Sequence, residues 1–295
     1  MKIYYHAVPG GNFGDDLNLL MWPLLFPGLL DGVVANASAE QMQAVTEYDH
    51  LLIGIGTLLN HRIPSPGRKI VFGAGAGYGE SPRLDRQWDI RFVRGPRTAQ
   101  ALGLRREKAI TDPAILLRRL EWKTVGLRHP CALMLHHSNT HSQLWQEIAA
   151  DLGIRLIDSR RNPAEVVSEI GASGLLITES LHGAIVADAL RVPWIPLASD
   201  YAVLKWKWHD WCDTVGLTYH PVKIPMMWEG ESGMKRRLKF HLARRTIRRS
   251  MAATLSQLSR DSVIESLTER LVAEVEALKS ALEQHRPDQC RPMLI

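Results

Sequence analysis

His182 is the side chain in this sequence best placed to move a proton. It stands in Glu179-Ser180-Leu181-His182-Gly183, a polar break between an apolar run at 174–178 and small helix formers at 184–190. An imidazole changes charge near neutral pH, which suits a general acid. A second group of chemistry-bearing residues lies in Gly10-Gly11-Asn12-Phe13-Gly14-Asp15-Asp16, a glycine-rich turn running into a Leu-rich helix. Carboxylates in a first helical turn suit the helix dipole and would repel a phosphate. On residue type alone, Asn12 or Asp15 therefore reads as an N-cap. Arg94 ends a strand at 90–93, just before a helix at 97–102. A guanidinium there suits bidentate capture of phosphate or carboxylate, with a surface salt bridge as the competing reading. Lys205 and Lys207 are further phosphate candidates, in a segment whose Trp208 and Trp211 read as core. Ser159-Arg160-Arg161 stands at another strand end and reads as solvated or as an anion contact.

Two patterns point away from familiar cofactors. Residues 73–79 alternate glycine with other residues around Gly75, but Tyr78 occupies the position of the third glycine of G-x-G-x-x-G. The dinucleotide fingerprint fails, leaving a flexible turn or a ligand loop of another kind. His136 and His137 are adjacent at the end of a strand at 131–135. Successive strand residues point to opposite faces, so no metal site is expected there.

These residues need a scaffold of strands. The stretch 174–197 reads as strand, tight turn, helix and strand: one crossover unit of a parallel sheet, whose ligands sit outside the carboxyl ends of the strands. Further strands are expected at 2–6, 51–55, 69–72, 108–111 and 154–158, with helices at 141–152 and 163–170. The second half reads as a four-stranded doubly wound sheet and the first as a similar alternation. The polar stretch 118–130 reads as a linker. The expected units are 1–125, 126–225 and a helical 226–295. Ser262-Val263-Ile264-Glu265 forms a capping box ahead of apolar residues at Ile264, Leu267, Leu271, Val275, Leu278 and Leu282.

Three of these stretches resemble the polysaccharide pyruvyl transferase family, in particular the succinoglycan-type ketal pyruvyltransferases of bacterial exopolysaccharide synthesis. They are ESLHGAIVADALRVPWIPL, NFGDDLN and RGPRT, and the resemblance spans roughly the first 215 residues. It implies two Rossmann-like domains facing a cleft, the glycosyltransferase-B-like arrangement, acceptor side first and donor side second. It also implies phosphoenolpyruvate as donor, a lipid-linked oligosaccharide as acceptor, a cyclic ketal as product, and no cofactor. His182 becomes the catalytic acid and Asp15 a base or acceptor contact, a role Asp16 shares or replaces. Arg94 becomes the donor-binding arginine, helped by Lys205 or Lys207. Asn12, Gly75, Glu179, Ser180, Leu181 and Gly183 complete the substrate-binding set. Two other classes compete. A sugar-nucleotide glycosyltransferase would show spaced acidic residues in the second half, where only Glu179 is in place. A non-catalytic membrane scaffold would leave Asp15, Arg94 and His182 on unrelated surfaces.

The formal net charge of +5 over 295 residues comes from one segment. Residues 235–249 hold eight Lys and Arg and no acid, so the remainder is net negative. That excludes a global nucleic-acid-binding surface and suits reversible, salt-sensitive attachment to an anionic membrane, with Leu238, Leu242, Ile247 and Met251 dipping into it. Cys131, Cys212 and Cys290 are far apart and show no zinc or disulfide spacing. The N-terminus lacks a signal-peptide pattern, so a cytoplasmic protein is expected.

Overall fold

A computed structural model describes residues 1–122, 126–139, 143–199, 204–226, 232–252 and 256–284. Alternating apolar runs and turn residues fold into two parallel five-stranded sheets. The first contains β1 (Lys2–Tyr5), β2 (Gly32–Ala35), β3 (His50–Ile53), β4 (Arg68–Phe72) and β5 (Trp88–Phe92), in the order β2-β1-β3-β4-β5. The second contains β6 (Ala132–Met134), β7 (Arg155–Ile157), β8 (Leu176–Thr178), β9 (Trp194–Ala198) and β10 (Val222–Lys223), in the order β7-β6-β8-β9-β10. Ranked by position in the chain, the two orders are the same. In each sheet the order reverses beside its first strand, so each has a switch point of the kind that holds ligands in doubly wound folds. Pairing places Ile3 opposite Leu52 and Leu133 opposite Ile177, and the register shifts by one residue between β4 and β5, where Val71 faces Ile90 but Phe72 faces Phe92.

Helices α1 (Phe13–Leu25), α2 (Ala39–Gln43) and α3 (Pro96–Ala101) belong to the first sheet, and α4 (Gln143–Leu152), α5 (Pro163–Gly171) and α6 (Leu181–Ala189) to the second. Three more follow: α7 (Lys205–Val215), α8 (Gly233–Ala252) and α9 (Asp261–Gln284). The start of the helix expected at 141–152 lies outside the described residues, as does Cys290; Cys131 and Cys212 are buried free thiols.

Several sequence expectations are corrected. The second sheet has five strands rather than four, because the two-residue β10 is too short to show a period. Residues 108–111 form no strand; a 3-10 turn at Arg106–Lys108 leads into a single parallel bridge between Val93 and Ala109. The start of the expected linker belongs to the packed 3-10 segment Pro113–Arg119, which buries Ile115, Leu116 and Leu117 against α6 and α9. α9 begins at Asp261, so Ser262 falls within its first turn, and Glu265 pairs with Arg118 at 2.9 Å rather than closing a capping box.

One hydrophobic cluster runs through both halves. It joins Phe13, Leu17 and Trp22 of α1 with Ala184 and Ile185 of α6, Ile115, and the buried face of α9 at Ile264, Leu267, Leu271, Val275 and Leu278. Trp208 and Trp211 lie within it, as expected. A polar brace completes the joint. Asp210 of α7 accepts the N–H groups of Arg97 (2.9 Å) and Thr98 (3.0 Å), capping α3, and its second oxygen accepts the Thr98 hydroxyl (2.6 Å). The α3 N-cap is Gly95, where a Cβ would stand 2.0 Å from the Asp210 carbonyl oxygen, so only glycine lets α7 approach. Arg94 donates to the same Asp210 oxygen at 3.1 Å with both side chains fully buried. Asp210→Ala leaves Arg94 as an uncompensated buried charge and is expected to cost about 3–5 kcal/mol in urea unfolding; a loss under 1 kcal/mol would show that this brace does not hold α7 to the first sheet.

Candidate functional site

The carboxyl edges of both sheets meet at one cavity of about 300 Å³. From the first half it receives His6, Asn36, Gly56, Thr57, Leu58, Asn60, Arg62 and Tyr78 from loops beyond the strands, and Asn12 and Asp15 from the start of α1. From the second it receives His136 and His137 after β6, Ser180, Leu181 and His182 after β8, and Lys207 from α7. The cavity therefore lies where the two switch points face each other.

His182 is the second residue of α6, whose N-cap Ser180 accepts the Gly183 N–H at 3.1 Å. Its Nε2 is buried 3.5 Å from Oδ2 of the fully buried Asp112. The other Asp112 oxygen accepts the Ala114 N–H at 3.0 Å, which fixes the carboxylate. Neither Nε2 nor Asp112 Oδ2 has a hydrogen-bond partner among the described residues, so the pair is a close contact rather than a hydrogen bond. On its Nδ1 side the ring lies against α1: a Cβ on Gly14 would stand 2.1 Å from Nδ1. Gly11 shows the same need, its φ being +93° and its missing Cβ falling 2.5 Å from the Arg160 carbonyl oxygen. These glycines admit the second half of the chain.

Asp15 is buried at the start of α1 and accepts the Asn12 side-chain N–H at 2.5 Å. Burial pushes its carboxyl above the usual range, opposed first by the charge of His182. Asn12 is the N-cap of α1, as expected, though its side chain caps no N–H; Asp16 accepts the Asn12 backbone N–H at 2.9 Å and is not part of the cavity wall. The first free N–H of α1, on Phe13, goes to the Ser159 carbonyl at 2.7 Å. Asp15 is thus left facing the cavity.

Lys207 is the cation nearest these groups. Its ammonium makes no hydrogen bond among the described residues; burial, reinforced by Arg94 and opposed by Asp15, lowers its pKa to about 8. Arg62 stands exposed at the rim with no carboxylate partner among the described residues. Arg94 itself lies behind the wall: Nε pairs with Asp210, Nη1 donates to Thr57 at 3.0 Å, and Nη2 is buried without a partner among the described residues. Gly75 makes room for it, since a Cβ there would stand 2.2 Å from the guanidinium. The bidentate capture expected of Arg94 is therefore directed at Asp210 and Thr57.

The remaining expected residues have structural surroundings. Glu179 is buried and accepts the N–H of Ser199 (2.7 Å) and the side-chain N–H of Asn139 (3.0 Å), tying three strand ends together. Gly183 packs so tightly that a Cβ would lie 2.8 Å from Thr178 Oγ1. Lys205 is exposed and lines a separate hollow with Ser199 and His209. Arg160 pairs with Asp158, and Arg161 with Glu165 and Glu169. The His136 and His137 rings do not point apart: β6 stops at Met134, strand alternation ends there, and both rings line the cavity with centroids 4.3 Å apart. Burial, then Lys207 and His137, hold His136 at a pKa of about 3, so it is neutral. Among the described residues no cluster of three or more His, Cys, Asp or Glu is arranged to hold a metal ion.

Sequence reasoning missed Asp112, Arg62, Thr57, His6 and Tyr78. Asp112 carried a signal, a carboxylate in an Asp-Pro turn; the others reach the cavity only through the tertiary fold.

Two parallel α/β units face each other and close on one polar cleft, a glycosyltransferase-B-like architecture. The chain belongs to the polysaccharide pyruvyl transferase family, whose sequence model matches residues 4–201, and it is a pyruvyltransferase enzyme. It is similar to the succinoglycan biosynthesis protein ExoV of Rhizobium meliloti, 37% identical over 239 residues that make up 80% of this chain and 71% of that protein. Among solved structures it is similar to the wall teichoic acid polymerase TagF at 11% identity and a TM-score of 0.38, covering 94% of this chain and 89% of that one.

The lowered pKa of Lys207 fixes a pH dependence. Below about 8 the ammonium is charged and attracts an anion; above it the charge is lost. Inorganic phosphate binding, measured by calorimetry, is expected to weaken as pH rises through that value. In Lys207→Met the dependence should flatten; an unchanged profile would remove Lys207 from the anion site.

Proposed function

We propose that the cavity transfers the pyruvyl group of phosphoenolpyruvate to two hydroxyls of one sugar in an exopolysaccharide repeat unit, forming a cyclic ketal and releasing phosphate. What supports the reading is the convergence of His182, Asp15 and Lys207, from both halves of the chain, on one cavity. The proton on His182 Nδ1 goes to C3 of the donor, which becomes a methyl group and leaves C2 electrophilic. A sugar hydroxyl adds to C2 and yields its proton to Asp15, whose raised pKa suits a base. The C2–O bond to phosphate breaks, and the second hydroxyl closes the ketal. Of the two hydroxyl protons, one replaces the proton given to C3 and one leaves with phosphate. Lys207 and Arg62 offer the cations for the donor's phosphate and carboxylate. Asp112 is a positioning residue: its carboxylate, 3.5 Å from Nε2, favours the protonated ring that gives up the Nδ1 proton.

The first half supplies Asp15, His6, Asn36 and Asn60 to the cavity and suits an acceptor rich in hydroxyls. The second supplies His182 and Lys207 and, with Arg62 reaching over from the first, suits the donor. We take the acceptor to be a lipid-linked oligosaccharide and the reaction to run in the cytoplasm, without a cofactor. The test is incubation with phosphoenolpyruvate and a panel of lipid-linked or synthetic glycosides, followed by phosphate release and the ketal mass. His182→Gln keeps a polar side chain but no transferable proton, and is expected to lower kcat by about 10²–10⁴ while leaving phosphoenolpyruvate binding nearly unchanged. Asp112→Asn should lower kcat by about tenfold or more and alter its pH profile. Thermal stabilisation by UDP- or GDP-sugars and not by phosphoenolpyruvate would overturn the donor assignment.

A further inference from the structure

The basic helix α8 presents two unlike faces. Its inner face packs on α4: Ala243 and Ile247 are buried, Phe240 and Met251 pack beside them, and the cluster includes Leu144, Trp145 and Ile148. Three of its arginines are engaged there, Arg236 with Glu147 at 3.0 Å, and Arg244 and Arg248 with Asp151. Ile247 is therefore part of the protein core and Met251 packs half-buried against it, so neither lies on a face open to a membrane, contrary to the expectation from sequence.

The outer face is different. Met234, Leu238 and Leu242 are 86%, 59% and 46% exposed. Spaced by four residues, they form one stripe along the helix. Lys235, Arg237, Arg245 and Arg249 are exposed and have no carboxylate partner among the described residues. α8 itself contains no acid.

We propose that this face docks on an anionic lipid bilayer. A membrane interface offers an acyl boundary for an apolar stripe and anionic headgroups for the cations beside it, the combination this face requires. A nucleic acid would answer the cations and leave the leucines in water. A second copy of the same face is itself basic and is repelled. Among the described residues no helix is long and apolar enough to cross a membrane, so the contact is peripheral. The proposal stands apart from the donor and acceptor assignments, because it concerns a surface that shares no residue with the cavity.

The test is co-sedimentation of the full chain with phosphatidylcholine vesicles, with and without phosphatidylglycerol, at low and high salt. Binding is expected only to the anionic vesicles and should be lost at high salt. Lys235→Gln, Arg237→Gln, Arg245→Gln and Arg249→Gln together should weaken partitioning by about 100-fold or more. Leu238→Ser with Leu242→Ser should weaken it by about tenfold or more. All six side chains are solvent-exposed, so an unchanged melting temperature and unchanged phosphate binding should accompany both variants. No sedimentation with anionic vesicles, equal binding to neutral ones, or full binding by either variant would overturn the proposal. So would tighter binding to a short DNA duplex than to anionic vesicles, or salt-sensitive self-association abolished by the leucine changes.

Discussion

The close approach of α1 to α6 is the contact on which the site depends. Gly14 gives up a side chain so that the His182 ring can lie on the first turn of α1, and Gly11 does the same for the backbone at Arg160. The Phe13 N–H, which would otherwise be an orphan helix-terminal donor, is satisfied by Ser159 from the other half. Asp15 and His182 are neighbours because of this interlock. Neither half holds the pair alone, and a methyl group at position 14 would have to displace the ring.

A second joint keeps the halves in register from the far side of the cavity. α7 is later in the chain than β9, yet Asp210 caps α3 and neutralises Arg94 in the first half. Removing two charges from water is costly, and the cost is offset only because the Asp210 oxygens are saturated by four donors in all. The same helix carries Lys207, one turn before Asp210, into the cavity. Both residues lie beyond the segment that the family's model matches, 4–201. The brace and the ammonium are thus delivered together.

The alternation of the two sheets was legible because each crossover unit is local: an apolar run, a turn and a helix within about thirty residues. What failed were features set by distant partners or by short elements. β10 has two residues and exists only beside β9. The histidine pair points to opposite faces only if a strand runs through it; β6 stops at Met134, so the alternation does not extend to His136 and His137. His182 was legible as a polar residue in a break at a strand end, whereas Asp15 reads on residue type alone as a helix cap and enters the site only through the family resemblance. Arg94 looked equally exposed in sequence; its partner, Asp210, is 116 residues away. Asp112 was hidden by its proline neighbour, which explains a turn well enough to stop further questions.

The helices that meet at His182 differ at their starts. Both α1 and α6 point their positive ends at the cavity, and the N-terminal turn of α1 carries Asp15 and Asp16 while that of α6 carries no acid. A helix start is worth about half a positive charge, so the two carboxylates in the first turn of α1 more than cancel its own, while the first turn of α6 carries none. The cleft is therefore polarised along its length, with a fixed gradient running from one half of the chain to the other. A small anion that diffuses in is drawn to the α6 end and turned away from the α1 end before any side chain has gripped it. Orientation of a charged substrate in this cleft begins with the backbone.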